Sequence, residues 1–446
     1  MFVPHSETDT QAMLRTIGVK TMEELFEAVP EQYRFPELDL PAALTEMEAL
    51  EDLQEIASAN VTVGEMPSFL GAGAYNHYVP AVVDSILRRG EYYTAYTPYQ
   101  PEVSQGTLQA IFEYQSMISA ITGMDASNAS HYDGATAAAE AVNMSQAITR
   151  GKRNKVIISP GLHPHYRETI CTYDMGTEVE VTGDDLDPEA GPEAMIEMLD
   201  DDTALVMVQY PDFYGRVYDF TKLAEAVHEA GALLSVSVNP MALGLLKPPG
   251  EFGADIVTGE GQPLGVPLSY GGPYLGILAT KDKYVRSLAG RIVGETTDTR
   301  GQRGYVLTLS TREQHIRREK AMSNICTNVA LIALAATVYI SLVGKQGLRE
   351  AAELSYHKAH YAAEKLAALP GYSLWSDQPF FNEFMLNTPK PAAEINEHLL
   401  ENGILGGLDV STMRSQHENA LLLAFTEMNS REDIDRLIEA LAEVQK

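Results

Sequence analysis

Cysteine is nearly absent from this chain of 446 residues, which contains only Cys171 and Cys326. Two cysteines are too few for a disulfide framework, and these two are far apart and form no Cys-X-X-Cys pair. The sequence therefore argues against a small disulfide-stapled domain and against a paired-cysteine redox site.

Basic residues are also scarce. The chain has 32 lysines and arginines against 62 aspartates and glutamates, which corresponds to a formal net charge of −30. Such an acidic surface repels phosphate backbones and anionic lipid headgroups. We therefore expect neither nucleic acid nor a membrane surface as a partner.

Long hydrophobic runs are missing as well. The longest, Val329 to Val343, is interrupted by Thr337 and Ser341 and is shorter than the roughly 18–20 residues that span a bilayer. The first residues, Met1-Phe-Val-Pro-His5, lack the basic and apolar regions of a signal peptide. We expect a buried helix at 329–343 and a cytoplasmic location.

Alternating strand and helix patterns fill residues 126–280. Strands separated by helical patterns of about 10–15 residues imply βαβ units and a mainly parallel sheet covered on both faces. We predict an α/β fold with a doubly wound sheet, and a long helix from about Arg312 to Leu342. The predicted regions are an N-terminal helical arm (1–65), a large α/β domain (66–320) with a bridging helix (321–345), and a small C-terminal α+β domain (346–446).

A glycine-rich loop lies between two short apolar strands near the end of the large domain, from Thr258 to Gly276. A loop that leaves the sheet of an α/β domain often holds a cofactor or its covalent anchor. This loop, however, contains no amine or thiol side chain that could act as a nucleophile.

Three further positions are candidates for binding. The turn Asp133-Gly134-Ala135-Thr136 opens a helix, so its N–H groups suit a phosphate, although Asp133 could equally be an ordinary helix cap. His163, with His165 nearby, lacks the additional donors of a metal site, so we expect no metal and allow a ring stacked on a planar cofactor. Asn239 ends a strand but cannot supply the charge that pairs with a pyridinium nitrogen.

Two surface features have open interpretations. Tyrosines are dense over residues 92–99, which predicts either an aromatic core or interface patch, or phenol groups in an active site. Residues 281–320 carry ten Lys or Arg against five Asp or Glu, which is typical of an internally paired surface or of a docking surface for an acidic partner.

Several segments resemble the alpha-subunit branch of the glycine cleavage system P-protein family, and together they extend over most of the chain. They are Phe69–His77, Tyr96–Glu102, Ser104–Gln109, Tyr132–Ala137, Ala242–Gly250 and Thr311–Asn328. The resemblance implies a fold type I transferase architecture of the kind used by pyridoxal phosphate (PLP) enzymes. It also implies a cytoplasmic oxidoreductase system for glycine catabolism.

In such enzymes a lysine binds PLP covalently, an aspartate faces the pyridinium nitrogen and an aromatic ring stacks on the cofactor. Through the resemblance, the lysine position maps to Gln262, counted back from Gly271-Gly272-Pro273, and the aspartate position maps to Asn239. The stacking position maps to His163, and Gly134, Ala135 and Thr136 complete a remnant cofactor pocket. An amide is not a nucleophilic amine, so the resemblance implies a chain with no catalytic residue of its own.

The resemblance further implies a beta subunit that binds PLP, an α2β2 assembly, glycine as substrate and a lipoylated H-protein as acceptor. Tyr96, Tyr99 and Gln100 are then expected to reach a site shared with the beta subunit. Two alternatives stay open. One is a self-sufficient PLP enzyme that uses another lysine, such as Lys247 or Lys281, and the other is a purely scaffolding subunit.

Overall fold

The computed structural model of the protein describes residues 4–183 and 185–444. The remaining positions, 1–3, 184 and 445–446, belong to the predicted arm, large domain and C-terminal domain and lie outside the described residues. By contacts, the chain divides into two compact units at residues 61 and 62.

The α-helices are α1 (Glu7–Ile17), α2 (Glu46–Ser58), α3 (Ala81–Leu87), α4 (Gly90–Tyr93), α5 (Gln105–Thr122), α6 (Gly134–Thr149), α7 (Pro164–Tyr173), α8 (Glu193–Ile196), α9 (Thr221–Glu229), α10 (Gln314–Arg317), α11 (Ala330–Ala367), α12 (Ala392–Glu401) and α13 (Arg431–Glu443). The strands are β1 (Ala126–Ser127), β2 (Lys155–Ile158), β3 (Glu180–Thr182), β4 (Thr203–Tyr210), β5 (Leu233–Val238), β6 (Ile256–Glu260), β7 (Gly276–Thr280), β8 (Ile292–Thr297), β9 (Arg303–Thr308), β10 (Ser373–Leu374), β11 (Glu383–Asn387), β12 (Leu408–Asp409) and β13 (Ala420–Ala424).

The first unit contains α1 and α2, and both begin with a capping box. In α2 the Thr45 hydroxyl accepts from the Glu48 N–H, while the Glu48 carboxylate accepts from the Thr45 N–H. Between α1 and α2, the chain forms a short 3₁₀ turn over Glu23–Phe26.

A seven-stranded sheet organises the second unit, in the order β1-β7-β6-β5-β4-β2-β3. The strands from β3 to β6 are parallel, and β7 and β1 pair antiparallel at one edge. Every residue of β5 is buried, as expected for a central strand with both faces covered. This mainly parallel sheet with flanking helices confirms the predicted α/β fold.

The chain from 346 onward contributes a second sheet, antiparallel and four-stranded, in the order β10-β11-β13-β12. Its apolar face packs with α12, α13 and the last turns of α11 in a separate cluster of buried side chains that includes Leu366, Leu399 and Leu437. By contacts, this region belongs to the same compact unit as the large sheet.

Helix α11 is the one helix among residues 4–183 and 185–444 that is long and apolar enough to cross a membrane, judged by length and composition alone. Its apolar side chains have another explanation, because Ala333, Ala336 and Tyr339 lie in the main core. A core helix passes the same test. The backbone kinks at Gly344, where φ is 60°.

The predicted long helix from Arg312 is wrong at its start, since α11 begins only at Ala330. Side chains tie the preceding segment to the backbone of the large unit instead. Arg312 donates to the Leu288 and Gly290 carbonyls, and the Asn328 amide donates to the Ala129 carbonyl at 3.0 Å. The sequence reasoning also missed the β8–β9 hairpin, which lies inside the basic stretch 281–320.

Candidate functional site

The carboxyl ends of β4, β5 and β6 line a small cavity of about 30 Å³, which the predicted Gly134, Ala135 and Thr136 do not line. Ligands of open α/β sheets bind at this edge. His163 and Asn239 line the cavity as predicted, together with Tyr166 and Glu260, which the sequence reasoning did not single out. The signal for Glu260 was available, because it is the only carboxylate in the glycine-rich loop.

Gln262 is fully buried, and its amide is fully hydrogen-bonded. Its Oε1 accepts from the Tyr75 N–H at 2.9 Å, and its Nε2 donates to the carbonyls of Tyr75 at 2.9 Å and Val266 at 2.7 Å. The side chain therefore holds the segment around residue 75 against the glycine-rich loop. It offers neither an amine nor a free polar atom to a ligand.

A carboxylate occupies the start of α6, where a cofactor phosphate was expected. Glu260 accepts from the Gly134 N–H at 2.9 Å, and its other oxygen accepts from the Gln262 and Leu275 N–H groups at 3.0 and 2.9 Å. The Thr136 N–H donates to Asp133, so the helix-cap alternative for this turn is the one observed. The N–H groups of Gly134 and Thr136, on either side of Ala135, are therefore already bonded to acceptor oxygens of this chain.

The protonation of Glu260 reflects two opposing effects. Burial raises the pKa of this carboxyl to about 8, and the three backbone N–H groups act against that rise. At neutral pH the Glu260 carboxyl is therefore mostly protonated, and it still accepts the Gly134 N–H at the start of α6.

His163 is buried and satisfied by its own chain. Its Nε2 lies 2.9 Å from the Ala72 carbonyl, and its Nδ1 accepts from the His165 N–H at 3.1 Å. One face of the ring is stacked on Tyr166, with ring centroids 5.0 Å apart and planes at 24°. Burial lowers the pKa of His163 to about 4, so the imidazole is neutral at physiological pH.

Tyr166 therefore covers one face of the His163 ring. Its hydroxyl is so close to Gly134 that a β-carbon at that position would collide with it. This contact requires glycine at the helix start.

Asn239 ends β5 as predicted, and its Oδ1 accepts from the Met241 N–H at 3.0 Å. The side chain therefore caps the turn that follows the strand. It carries no charge toward the cavity.

The residues of this pocket do not fit pyridoxal phosphate. Position 262 has no amine, position 239 has no carboxylate, and Glu260 fills the phosphate position. A cavity of about 30 Å³ is close to the volume of one water molecule. Neither Lys247 nor Lys281, the alternative anchors, lines it.

Behind this pocket, Glu383 of β11 connects the C-terminal sheet to the segment that contains Ala72 and Tyr75. Its carboxylate is buried and accepts from the Tyr75 hydroxyl at 2.8 Å and the Ala72 N–H at 2.6 Å. Burial raises the pKa of Glu383 to about 7.

Glu383→Gln is expected to flatten the pH dependence of stability. Because the folded-state pKa is raised above the ordinary 4.5, the stabilising contribution is present below that pH and is lost as pH rises through about 7. Between about pH 5.5 and about pH 8 the loss corresponds to roughly 2 kcal/mol of unfolding free energy. Urea midpoints at about pH 5.5 and about pH 8 measure it.

Glutamine at 383 has no charge to bury, and the Tyr75 hydroxyl can turn to accept from its amide. The variant should therefore lose less stability between the two pH values than the natural chain does. Glu418→Gln, an exposed glutamate in the same lobe, is the matched control. Equal pH dependence in all three proteins would contradict this role for Glu383.

The structure does not bring Tyr96, Tyr99 and Gln100 to this pocket. They lie in an exposed segment between α4 and α5, where Tyr96 is 71% and Tyr99 is 51% exposed. The Tyr99 ring contacts the Arg291 guanidinium at 5.4 Å and the His315 ring at 5.9 Å. Tyr96 and Tyr99 therefore do not belong to an aromatic core of this chain.

Beneath these tyrosines lies a buried ion pair from the basic stretch. Arg291 Nε lies 3.3 Å from the Glu313 carboxylate, and both side chains are almost fully buried. The Thr327 hydroxyl accepts from Arg291 at 2.5 Å and bonds with the Thr97 hydroxyl at 3.0 Å. The exposed tyrosine segment is therefore held by contacts to the buried Arg291–Glu313 ion pair and to Thr327. Among the described residues no group of three His, Cys, Asp or Glu side chains is placed to bind a metal.

Comparisons with known proteins agree on one family. The family described as glycine cleavage system P-protein matches residues 1–441. A protein of Thermomicrobium roseum, named probable glycine dehydrogenase (decarboxylating) subunit 1, is 56% identical over 446 residues, covering 99% of each chain. A protein of the same name from Desulforamulus reducens is 52% identical over 447 residues, again covering 99% of each.

A solved structure gives the same result. The crystal structure of a glycine decarboxylase (P-protein) of the glycine cleavage system, in inhibitor-bound form, matches with a TM-score of 0.92 and 44% identity over the whole of both chains. A Lactobacillus brevis glutamate decarboxylase, 14% identical with a TM-score of 0.68 over 95% of this chain and 98% of that one, shares the fold alone.

Proposed function

The chain belongs to the glycine cleavage system P-protein family, and from that premise we propose that it is the cofactor-free alpha subunit of a two-chain glycine decarboxylase. The observation that carries the proposal is the filled pocket at Gln262, Glu260 and Tyr166. A family member whose own pocket cannot hold the cofactor needs a partner chain that can.

In this proposal a homologous beta subunit binds PLP, and the two chains form an α2β2 complex in the cytoplasm. The complex decarboxylates glycine and transfers the aminomethyl group to the lipoyl arm of H-protein. The electron-sink chemistry of the cofactor belongs to the beta subunit. This chain completes the walls of the shared site and part of the docking surface for H-protein.

Exposed apolar side chains in the first unit support the proposal of an obligate partner. No side chain of α2 is buried, although Met47, Leu50, Leu53 and Ile56 all lie on this helix and are more than half exposed. Exposed apolar surface of this kind marks interaction sites.

Reconstitution tests the proposal directly. This chain, the beta subunit and an equimolar mixture are each loaded with PLP, reduced with borohydride and assayed for decarboxylation of labelled glycine with lipoylated H-protein. We expect activity only in the mixture and a reduced cofactor adduct only on the beta subunit. An adduct on this chain, located by mass spectrometry, would instead support the self-sufficient alternative.

Tyr96→Phe and Tyr99→Phe test whether this chain reaches the shared site. If a phenol hydroxyl bonds to the substrate or the transition state, its loss should reduce kcat/KM for glycine roughly tenfold in the reconstituted complex. Steady-state kinetics and complex formation by gel filtration are measured together.

Tyr173→Phe, an exposed tyrosine on α7, is the control and should leave turnover unchanged. Unchanged turnover and unchanged glycine affinity in the Tyr96 and Tyr99 variants would favour the scaffolding alternative.

A further inference from the structure

A second and much larger cavity, of about 550 Å³, lies at the opposite edge of the main sheet. It is lined by the end of α6 and by the first residues of β5, where Leu233 forms part of the wall. The remnant cofactor pocket lies at the other end of β5, beside Val238. A strand of six residues spans on the order of 20 Å, so the two cavities are separate sites.

The lining of this cavity is basic, although the chain as a whole is acidic. It includes Lys152, Arg153, Lys281 and Lys283 together with His228, and none of its lining residues is acidic. The whole chain has nearly two acidic residues for each basic one. The four cations around this cavity therefore distinguish it from the rest of an acidic chain.

One buried carboxylate lies behind the lining and neutralises part of it. Asp255 is fully buried and bonds to Lys281 at 2.9 Å, His228 at 2.7 Å and the Leu234 N–H at 3.1 Å. Lys283 lies 3.7 Å from the same carboxylate. A single negative charge is shared among three basic side chains, so the cavity keeps a net positive charge.

Two cations of the lining have no carboxylate partner in the described part of the chain. Arg153 Nη1 donates to the carbonyls of Thr203 at 2.9 Å and Ala230 at 2.8 Å. These bonds fix the plane of the guanidinium and leave Nε and Nη2 without a protein acceptor. The Lys152 amine has neither a hydrogen bond nor an ion pair to a described residue.

A guanidinium held in place beside mobile ammonium groups suits phosphate, which accepts paired N–H donors and attracts point charges. Cavities of about 300–1,000 Å³ hold small-molecule ligands. The walls also include apolar surface from Ile148 and Leu233 and the ring of Tyr284, on which the Lys283 amine lies at 4.4 Å.

The geometry points to a binding site at this edge for a small phosphate-bearing polyanion, such as a diphosphate or an organic phosphate. It lies outside the glycine reaction, so its existence does not depend on the proposed function.

Isothermal titration of the full-length chain with inorganic pyrophosphate tests the site. The natural chain should bind with saturable heat at one site, at an ionic strength held constant with potassium chloride. In Lys152→Glu/Lys283→Glu the affinity should fall at least about tenfold, because two cations next to the ligand become anions. Adenosine diphosphate, as a second probe, distinguishes an organic phosphate from the inorganic ion.

The matched control is Lys345→Glu/Lys390→Glu, which changes the net charge equally at two exposed lysines outside the cavity. It should bind pyrophosphate as the natural chain does. Absence of saturable binding to the natural chain overturns the proposal. Equal weakening in both double variants also overturns it, since that is the behaviour of general charge attraction. Thermal unfolding without ligand confirms that each variant is folded.

Discussion

Gln262→Lys is expected to destabilise the chain and to leave it unable to bind pyridoxal phosphate. The change supplies the amine that the family resemblance implies for this position, but it places an ammonium group at a fully buried position. The Tyr75 N–H loses its acceptor, and Glu260 already accepts three backbone N–H groups. An unpaired buried charge costs about 3 kcal/mol or more.

Cofactor binding should not appear, because the obstacle is space as well as chemistry. Tyr166 is stacked on His163, Glu260 occupies the helix start, and the cavity is about 30 Å³. The measurements are the absorbance of PLP that stays with the protein through gel filtration, and the urea midpoint with and without PLP.

Gln262→Met separates the cost of losing the amide hydrogen bonds from the cost of burying a charge. It keeps the length of the side chain and loses the amide hydrogen bonds without adding a charge, so we expect a loss of about 1–3 kcal/mol. A lysine variant that retains borohydride-reducible PLP would show that the pocket can still open around the cofactor. A lysine variant more stable than the methionine variant would contradict the assigned cost of the charge.

Arg216→Ala is expected to lower the unfolding free energy by roughly 3–5 kcal/mol, because it leaves a buried carboxylate without its cation. Both side chains of the Arg216–Asp212 pair are about 5% exposed. Arg216 Nε donates to Asp212 Oδ2 at 2.8 Å, and Nη2 donates to the Pro188 carbonyl at 2.6 Å.

The position of this pair enlarges the expected effect. The guanidinium lies 4.8 Å from the Trp375 ring, and the backbone of Arg216 forms a bridge to Phe380. The pair therefore joins the loop after β4 to the C-terminal sheet. Loss of Arg216 removes the charge partner, the aromatic contact and part of this connection at once.

Two further variants and one assay test the reason for the loss. Arg216→Lys keeps a positive charge but loses the bidentate, planar guanidinium, so it should lower the unfolding free energy less than Arg216→Ala does. Asp212→Asn/Arg216→Ala removes the unpaired charge and should be more stable than Arg216→Ala alone. Urea unfolding compares them, and a double variant no better than the single one would contradict the buried-charge explanation.

Much of the fold was predictable because its strands and helices have strong local patterns. Helix α6 begins at the predicted turn after Asp133, and β5 ends immediately before Asn239, as expected. Buried parallel strands are continuous apolar runs, and helix ends carry capping residues, so local sequence determines both. The predictions failed over 312–329, where Arg312 and Asn328 bind distant carbonyls that no local pattern reveals.

The sequence by itself determined the negative part of the functional account. An amide at 262 and an amide at 239 lack the amine and the charge that the cofactor requires, wherever the chain places them. That conclusion depends on the resemblance, which assigns the two positions, and on covalent chemistry, and it needs no coordinates. The basic composition of the stretch 281–320 was likewise visible without coordinates.

Only the tertiary structure decided what replaces the cofactor and where the basic charge goes. Glu260 reaches the start of α6, 126 residues earlier in the chain, and Tyr166 covers His163 because β5, β6, α6 and α7 meet at one edge of the sheet. Lys152 and Lys281 are far apart in the sequence, and the packing of the sheet and helices brings both to the cavity at the opposite edge. Long-range packing sets these distances, and no spacing along the sequence contains them.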